Sequence, residues 1–233
     1  MMKTIAAAVL AVALIGGGVW YATSSKDTTE SEPLASATPD TSTTPVAAPA
    51  PSAAAIDPAL LADRTLGNPE APIKVTEYAS FTCPHCANFH SAVFKDLKTN
   101  YIDTGKVFFT YREVYFDRYG LWAGMIARCG GVDRYFGFVD VFYTSRDTWL
   151  SSDDPAVISG NLKRIGRTAG MTDEALDQCL NNTAFAEALV ANFKTNSEQD
   201  DITGTPSFMI DGVKHKNMSY AEFAALLDAK LAE

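Results

Sequence analysis

Glu77-Tyr78-Ala79-Ser80-Phe81-Thr82-Cys83-Pro84-His85-Cys86 is the stretch on which the reading of this chain turns. Just before it, Ile73-Lys74-Val75-Thr76-Glu77-Tyr78 alternates with period two and predicts a strand. The phase puts Ile73, Val75 and Glu77 on one face, so the carboxylate is expected to be buried among aliphatic neighbours. Just after it, Ala87 to Ile102 carries Phe89, Val93, Phe94 and Leu97 at helical spacing. The Cys-x-x-Cys pair therefore sits where a strand hands over to a helix. There the first sulfur meets the unpaired amides and the positive end of the helix, both of which favour a thiolate. Pro84 suits the first turn, which needs no N–H from it. His85 adds a polar or cationic group beside the sulfur. A redox dithiol is the reading this placement favours; a structural disulfide or half of a zinc site are its alternatives. A zinc site usually needs two further ligands, and there is no second Cys-x-x-Cys or His pair.

Outward from the motif, Val107 to Val114 is rich in Phe, Tyr and Val and predicts a second strand, so a helix joins two strands as in a parallel βαβ unit. From Arg118 to about Gln199 the periodicity is helical, with Leu121, Met125 and Cys129 on one face and Leu176, Cys179 and Leu180 on another. Pro155, Gly170 and Asn181-Asn182 divide this stretch into several helices. Thr172, followed by Asp173 and Glu174, reads as an N-cap with an acidic first turn. Strand character returns at Pro206 to Ile210 and Val213 to Lys216, separated by the hairpin dipeptide Asp211-Gly212. Tyr220 to Ala232 closes as a helix. Arg64 to Pro72 carries turn chemistry in Gly67-Asn68-Pro69 and Ala71-Pro72.

The chain has 233 residues, 47% of them hydrophobic, and a net charge of −9 from 28 acidic and 19 basic side chains. One globular domain is the expectation. A negative balance with no basic stripe argues against nucleic acid as a partner. Residues 1–22 hold Lys3 and then an uncharged apolar run from Thr4 to Ala22, which reads as an export signal, either cleaved or retained as a membrane anchor. Residues 23–55 are Ser, Thr, Ala, Pro and acidic residues, a composition that cannot offset its ordering entropy and reads as a flexible tether. A folded domain is expected over 56–233. In an exported chain, four cysteines suggest disulfides. Cys129 and Cys179 lie on apolar helical faces and enclose about 50 residues, and a structural bridge between them, worth roughly 4 kcal/mol by loop entropy, is expected over the alternative of two buried free thiols. His90 and His215 have no partner spacing and are assigned no role. Asn181-Asn182-Thr183 and Asn217-Met218-Ser219 match glycosylation sequons, which matter only in a eukaryotic secretory route.

The Cys-Pro-His-Cys motif, the acid six positions before it, the helical stretch and Gly204-Thr205-Pro206 together resemble the DsbA branch of the thioredoxin superfamily, over roughly Asp63 to the C-terminus. The resemblance implies an α/β thioredoxin fold with an inserted all-helical subdomain over about 118–199. It implies Cys83 as the exposed nucleophile, Cys86 as the buried resolving sulfur, Pro206 as a cis-proline opposite them, and Thr205 as the residue presenting its backbone to substrate. Glu77 matches the buried acid that assists proton movement at the resolving sulfur. No cofactor beyond the redox-active Cys83–Cys86 disulfide and no metal are expected. The implied partners are reduced or unfolded exported proteins and a membrane quinone-linked reoxidising protein, the implied compartment is a bacterial periplasm, and the implied state is a monomer. A disulfide isomerase or reductase on the same fold, and a copper or zinc carrier using Cys83, His85 and Cys86, are the alternatives.

Overall fold

The computed structural model describes residues 56–233. The expected export segment and tether lie outside the described residues. The framework is a five-stranded sheet in the order β1-β3-β2-β4-β5, built from β1 (Arg64–Leu66), β2 (Ile73–Ala79), β3 (Val107–Glu113), β4 (Ser207–Ile210) and β5 (Val213–Lys216). β2 is central, pairing in parallel with β3 and antiparallel with β4. The phase expected for β2 holds, with Ile73, Val75 and Glu77 all buried. Ala79 on the same face is buried too, and on the other face Tyr78 is buried with its hydroxyl on Asn196 O and Asp200 Oδ2, while Lys74 is exposed.

Between β2 and β3 runs one long helical passage. It comprises α2 (Pro84–Phe89), wide π-type turns over His90–Phe94, α3 (Lys95–Leu97) and further π-type turns over Lys98–Ile102. The helix thus begins at Pro84, three residues before the apolar periodicity does, because proline needs no hydrogen-bond partner in a first turn. Phe89 meets Phe208 of β4 at 4.8 Å between ring centroids, and Phe208 meets Phe223 of α10 (Tyr220–Leu231) at 5.1 Å. This aromatic triplet anchors α2 to the C-terminal hairpin and helix. The hairpin turns at Asp211 and Gly212 with φ of 47° and 81°, the left-handed pair a tight two-residue turn demands.

Helices from α4 (Arg118–Cys129) to α9 (Thr183–Gln199) fill the interval between β3 and β4, with α5 (Tyr135–Thr144), α6 (Arg146–Trp149), α7 (Pro155–Thr168) and α8 (Asp173–Leu180) between them. Asp117 caps α4 through the amides of Tyr119 and Gly120, and Thr172 caps α8 through Ala175. A disulfide joins Cys129 at the end of α4 to Cys179 in α8. Among the described residues no helix is long and apolar enough to cross a membrane.

Two elements depart from the sequence reading. Arg64–Leu66, read as turn, is an antiparallel edge strand on β3, and Pro58–Leu61 forms a short helix, α1, capped by Asp57. Arg64 is buried on its strand, donating to the Ala59 carbonyl at 3.0 Å with its guanidinium over the Tyr135 ring.

Candidate functional site

Cys83 is the N-cap residue of α2, in extended conformation, with Pro84 at the first helical position. Its backbone N–H donates to Ser80 O at 3.1 Å, and its own carbonyl accepts from Ala87 N. Cys83 is partly exposed, whereas Cys86, one turn on, is fully buried; both sulfurs are free thiols, so this is the reduced form of the pair. Opposite them the Thr205–Pro206 bond is cis, and the Thr205 carbonyl oxygen lies 3.6 Å from Cys83 Sγ.

The environment splits the two sulfurs apart. Cys83 is lowered to about 5, first by a hydrogen bond from the Cys86 thiol, which outweighs the opposing desolvation, and then by the Thr205 hydroxyl and the backbone amides of Cys86 and His85. Cys86 is driven far upward, first by burial, then by its bond to Cys83 and the nearby charge of Glu77. At neutral pH one sulfur is a thiolate at a helix N-terminus, and its neighbour is a thiol that stabilises it by donating.

The loop that carries Cys83 is gripped from the helical insert. Arg146 donates from Nε (2.9 Å) and Nη2 (2.8 Å) to the Thr82 carbonyl. Thr82 Oγ1 donates to Asp117 Oδ2 at 2.6 Å, and Ser80 Oγ lies 3.1 Å from the same hydroxyl. One residue before Cys83, both the carbonyl and the side chain are therefore fixed.

A family model described as thioredoxin matches residues 60–229. A "putative protein-disulfide oxidoreductase" of Rickettsia bellii is 36% identical over 172 residues, covering 73% of this chain and 65% of that protein. The chain thus spans less than two thirds of that relative's length. The crystal structure of Wolbachia pipientis alpha-DsbA1 superposes with a TM-score of 0.65 at 32% identity, covering 72% of this chain and 89% of that one.

The chain belongs to the thioredoxin family, in its DsbA-type branch.

A solved protein-disulfide isomerase from Novosphingobium aromaticivorans is also similar, at 28% identity and a TM-score of 0.67, covering 73% of this chain and 98% of that one.

In this DsbA-type chain, Cys83, Cys86, Thr205 and Pro206 converge, while Cys129 and Cys179 are bridged within the insert. Glu77 is fully buried, with Oε2 at 3.1 Å from His90 Nε2 and Oε1 without a partner. The His85 ring is exposed, and what reaches Cys83 from that residue is its backbone N–H. His90, assigned no role from sequence, is the buried partner of Glu77. Its position four residues after Cys86, on the same helical face, was the available signal. Arg146 and Asp117 had no comparable signal, because only tertiary packing brings them to Thr82.

Proposed function

We propose that this protein is an exported thiol:disulfide oxidoreductase that donates the Cys83–Cys86 disulfide to newly exported proteins in a bacterial periplasm. The observation that carries this reading is the asymmetry of the sulfurs: Cys83 held at about 5 beside a buried Cys86 pushed the other way. A substrate thiolate attacks Cys83 Sγ of the oxidised pair and Cys86 leaves. A second substrate thiolate then attacks the substrate sulfur of the mixed disulfide and expels Cys83 as thiolate. A low pKa makes Cys83 a fast leaving group and stabilises the reduced enzyme, so electrons flow towards it. Thr205, beside Cys83 at the cis bond, offers its backbone to an extended substrate segment. A membrane quinone-linked protein is the proposed reoxidant, and the catalytic unit is a monomer.

An isomerase or reductase is the second reading, favoured by the similarity to the Novosphingobium isomerase. No observation favours a metal carrier: among the described residues no group of three or more His, Cys, Asp or Glu side chains is placed to hold a metal ion. The deciding experiment equilibrates the protein with glutathione redox buffers. An oxidase should poise nearer the roughly −120 mV of DsbA than the roughly −270 mV of thioredoxin. A value at or below the latter would replace the oxidase reading with the reductase one.

A further inference from the structure

Cys86 must change protonation in every cycle, yet it has no exposed surface. When the Cys83–Cys86 bond breaks, the electron pair stays on Cys86, and burial makes a lasting thiolate there costly. A proton has to be delivered from inside the protein. The acid whose charge acts on Cys86 is Glu77 of β2. Its Oε1 is buried with no partner, and its Oε2 meets His90 Nε2 at 3.1 Å. His90 lies one helical turn beyond Cys86 and retains 6% exposure.

The packing around His90 fixes the ring and leaves Glu77 to it. The ring stacks on Tyr143 of α5 (centroids 4.3 Å, interplanar angle 26°) and on Phe94 (4.6 Å), with Tyr111 of β3 edge-on at 6.0 Å. The titratable groups facing the pair are thus Cys86, Tyr111 and Tyr143. The two tyrosine hydroxyls bond to each other at 2.7 Å, and Tyr143 donates to Ser80 O at 3.2 Å. Burial pushes both phenols well up, so they remain protonated and do not compete for the proton. Ala87 and Ser91, on either side of His90 in the helix, and Tyr143 line a surface cleft of about 380 Å³.

Resting on the oxidoreductase reading, we propose that His90 is the outer member of a proton relay in which solvent protonates His90, His90 serves Glu77, and Glu77 serves Cys86. As the substrate thiolate forms its new S–S bond with Cys83, the departing Cys86 sulfur takes a proton handed on through the Glu77 carboxyl. The carboxylate left behind takes a proton at Oε2 from His90 Nε2, and His90, which retains 6% exposure, recovers one from solvent. The oxidant is the Cys83–Cys86 disulfide and the reductant is the substrate dithiol. During reoxidation the same proton travels outward.

The test is single-turnover oxidation of a reduced dithiol peptide by the oxidised full chain, followed from about pH 5 to about pH 9, with the Cys83 thiolate titrated separately. His90→Gln keeps a donor for Glu77 but cannot relay. It should slow the reaction about tenfold or more near pH 7, in the range of general acid–base contributions, and flatten the pH profile, with the Cys83 titration unmoved. His90→Ala should be slowed likewise and recover in added imidazole. Should that variant not fold, the wild-type solvent isotope effect, expected to diminish in His90→Gln, takes its place. A His90→Gln rate and pH profile equal to wild type would overturn the relay alone, as would slowing that tracks a moved Cys83 titration. Absence of exchange in the wild type would overturn the oxidoreductase reading itself.

Discussion

Lowering the pH from 7 to 4 should cost the reduced protein stability that the oxidised protein keeps. Only the reduced form holds a Cys83 thiolate, with a pKa of about 5 against about 8.5 for an unfolded thiol. A group whose pKa falls on folding contributes stability that is complete above the unfolded pKa and is lost as pH drops through the folded one. At pH 7 the two units between 7 and about 5 correspond to about 2.7 kcal/mol at 1.36 kcal/mol per unit. Cys83 is partly exposed, and solvent screening reduces this to about 1 to 2 kcal/mol; below about pH 4 almost none remains. The assay is urea denaturation of both forms at each pH. Groups that titrate alike in the two forms cancel in the difference, and so does the pH-independent effect of closing the small disulfide loop. The reduced-minus-oxidised stability should therefore fall by that amount between pH 7 and pH 4, with its midpoint tracking the thiolate absorbance near 240 nm. A difference flat with pH, or a Cys83 titration centred above 7, would refute the assignment of Cys83 as a stabilised thiolate. Cys86→Ala removes the largest contributor and should move the midpoint upward.

Three further outcomes follow from the packing. Replacing both Cys129 and Cys179 by Ala opens a loop of sequence separation 50. It should cost about 4 kcal/mol in the loop-entropy model, read by chemical denaturation, with thiol exchange at Cys83 unchanged. Arg128→Met strands Glu113, which is 3% exposed and bound to Arg128 through both oxygens. A loss of about 3 to 5 kcal/mol is expected, whereas Lys214→Ala, breaking the exposed pair with Asp201, should cost less than about 1 kcal/mol. Arg146→Met deprives the Thr82 carbonyl of both guanidinium donors and should lose about 1 to 3 kcal/mol. Arg146→Lys should recover part of that, and the Cys83 titration should stay in place, since the guanidinium holds the carbonyl and not the sulfur.

What could be read from the sequence divides along the range of the interactions. β2, β3, the β4–β5 hairpin and the start of α8 each announce themselves through residues a few positions apart: period-two alternation, Asp211-Gly212, and Thr172 ahead of two acids. β1 does not. It is three residues long and buries an arginine, so an alternating pattern has no length in which to show, and its one fully buried residue carries the wrong polarity for it. Arg64 is tolerated there because a carbonyl and an aromatic ring receive its guanidinium, and neither partner can be foreseen locally. The same division runs through the site. Cys83 and Cys86 are neighbours in sequence, and the helix N-terminus between them is a local feature. Glu77 and His90 are joined only when β2 and the long helix pack together.

The helical insert bears on the chemistry for the same reason. Asp117 at the α4 N-cap holds the Thr82 hydroxyl, Arg146 of α6 holds the Thr82 carbonyl, and Tyr143 of α5 stacks on His90 and bonds Ser80 O. Three separate helices thus touch the loop before Cys83 or the group behind Cys86. Without them the carbonyl and hydroxyl of Thr82 lose partners, and His90 loses the face that fixes its ring beside Glu77. The Cys129–Cys179 bridge ties α4 to α8, and Phe81, next to the motif, packs on Phe142 and Tyr143 of α5 at 5.2 and 5.5 Å. The insert is therefore the second wall of the redox centre: the strand-to-helix junction supplies the thiolate's amides, and the insert supplies the rigidity that keeps one sulfur at the surface and the other buried.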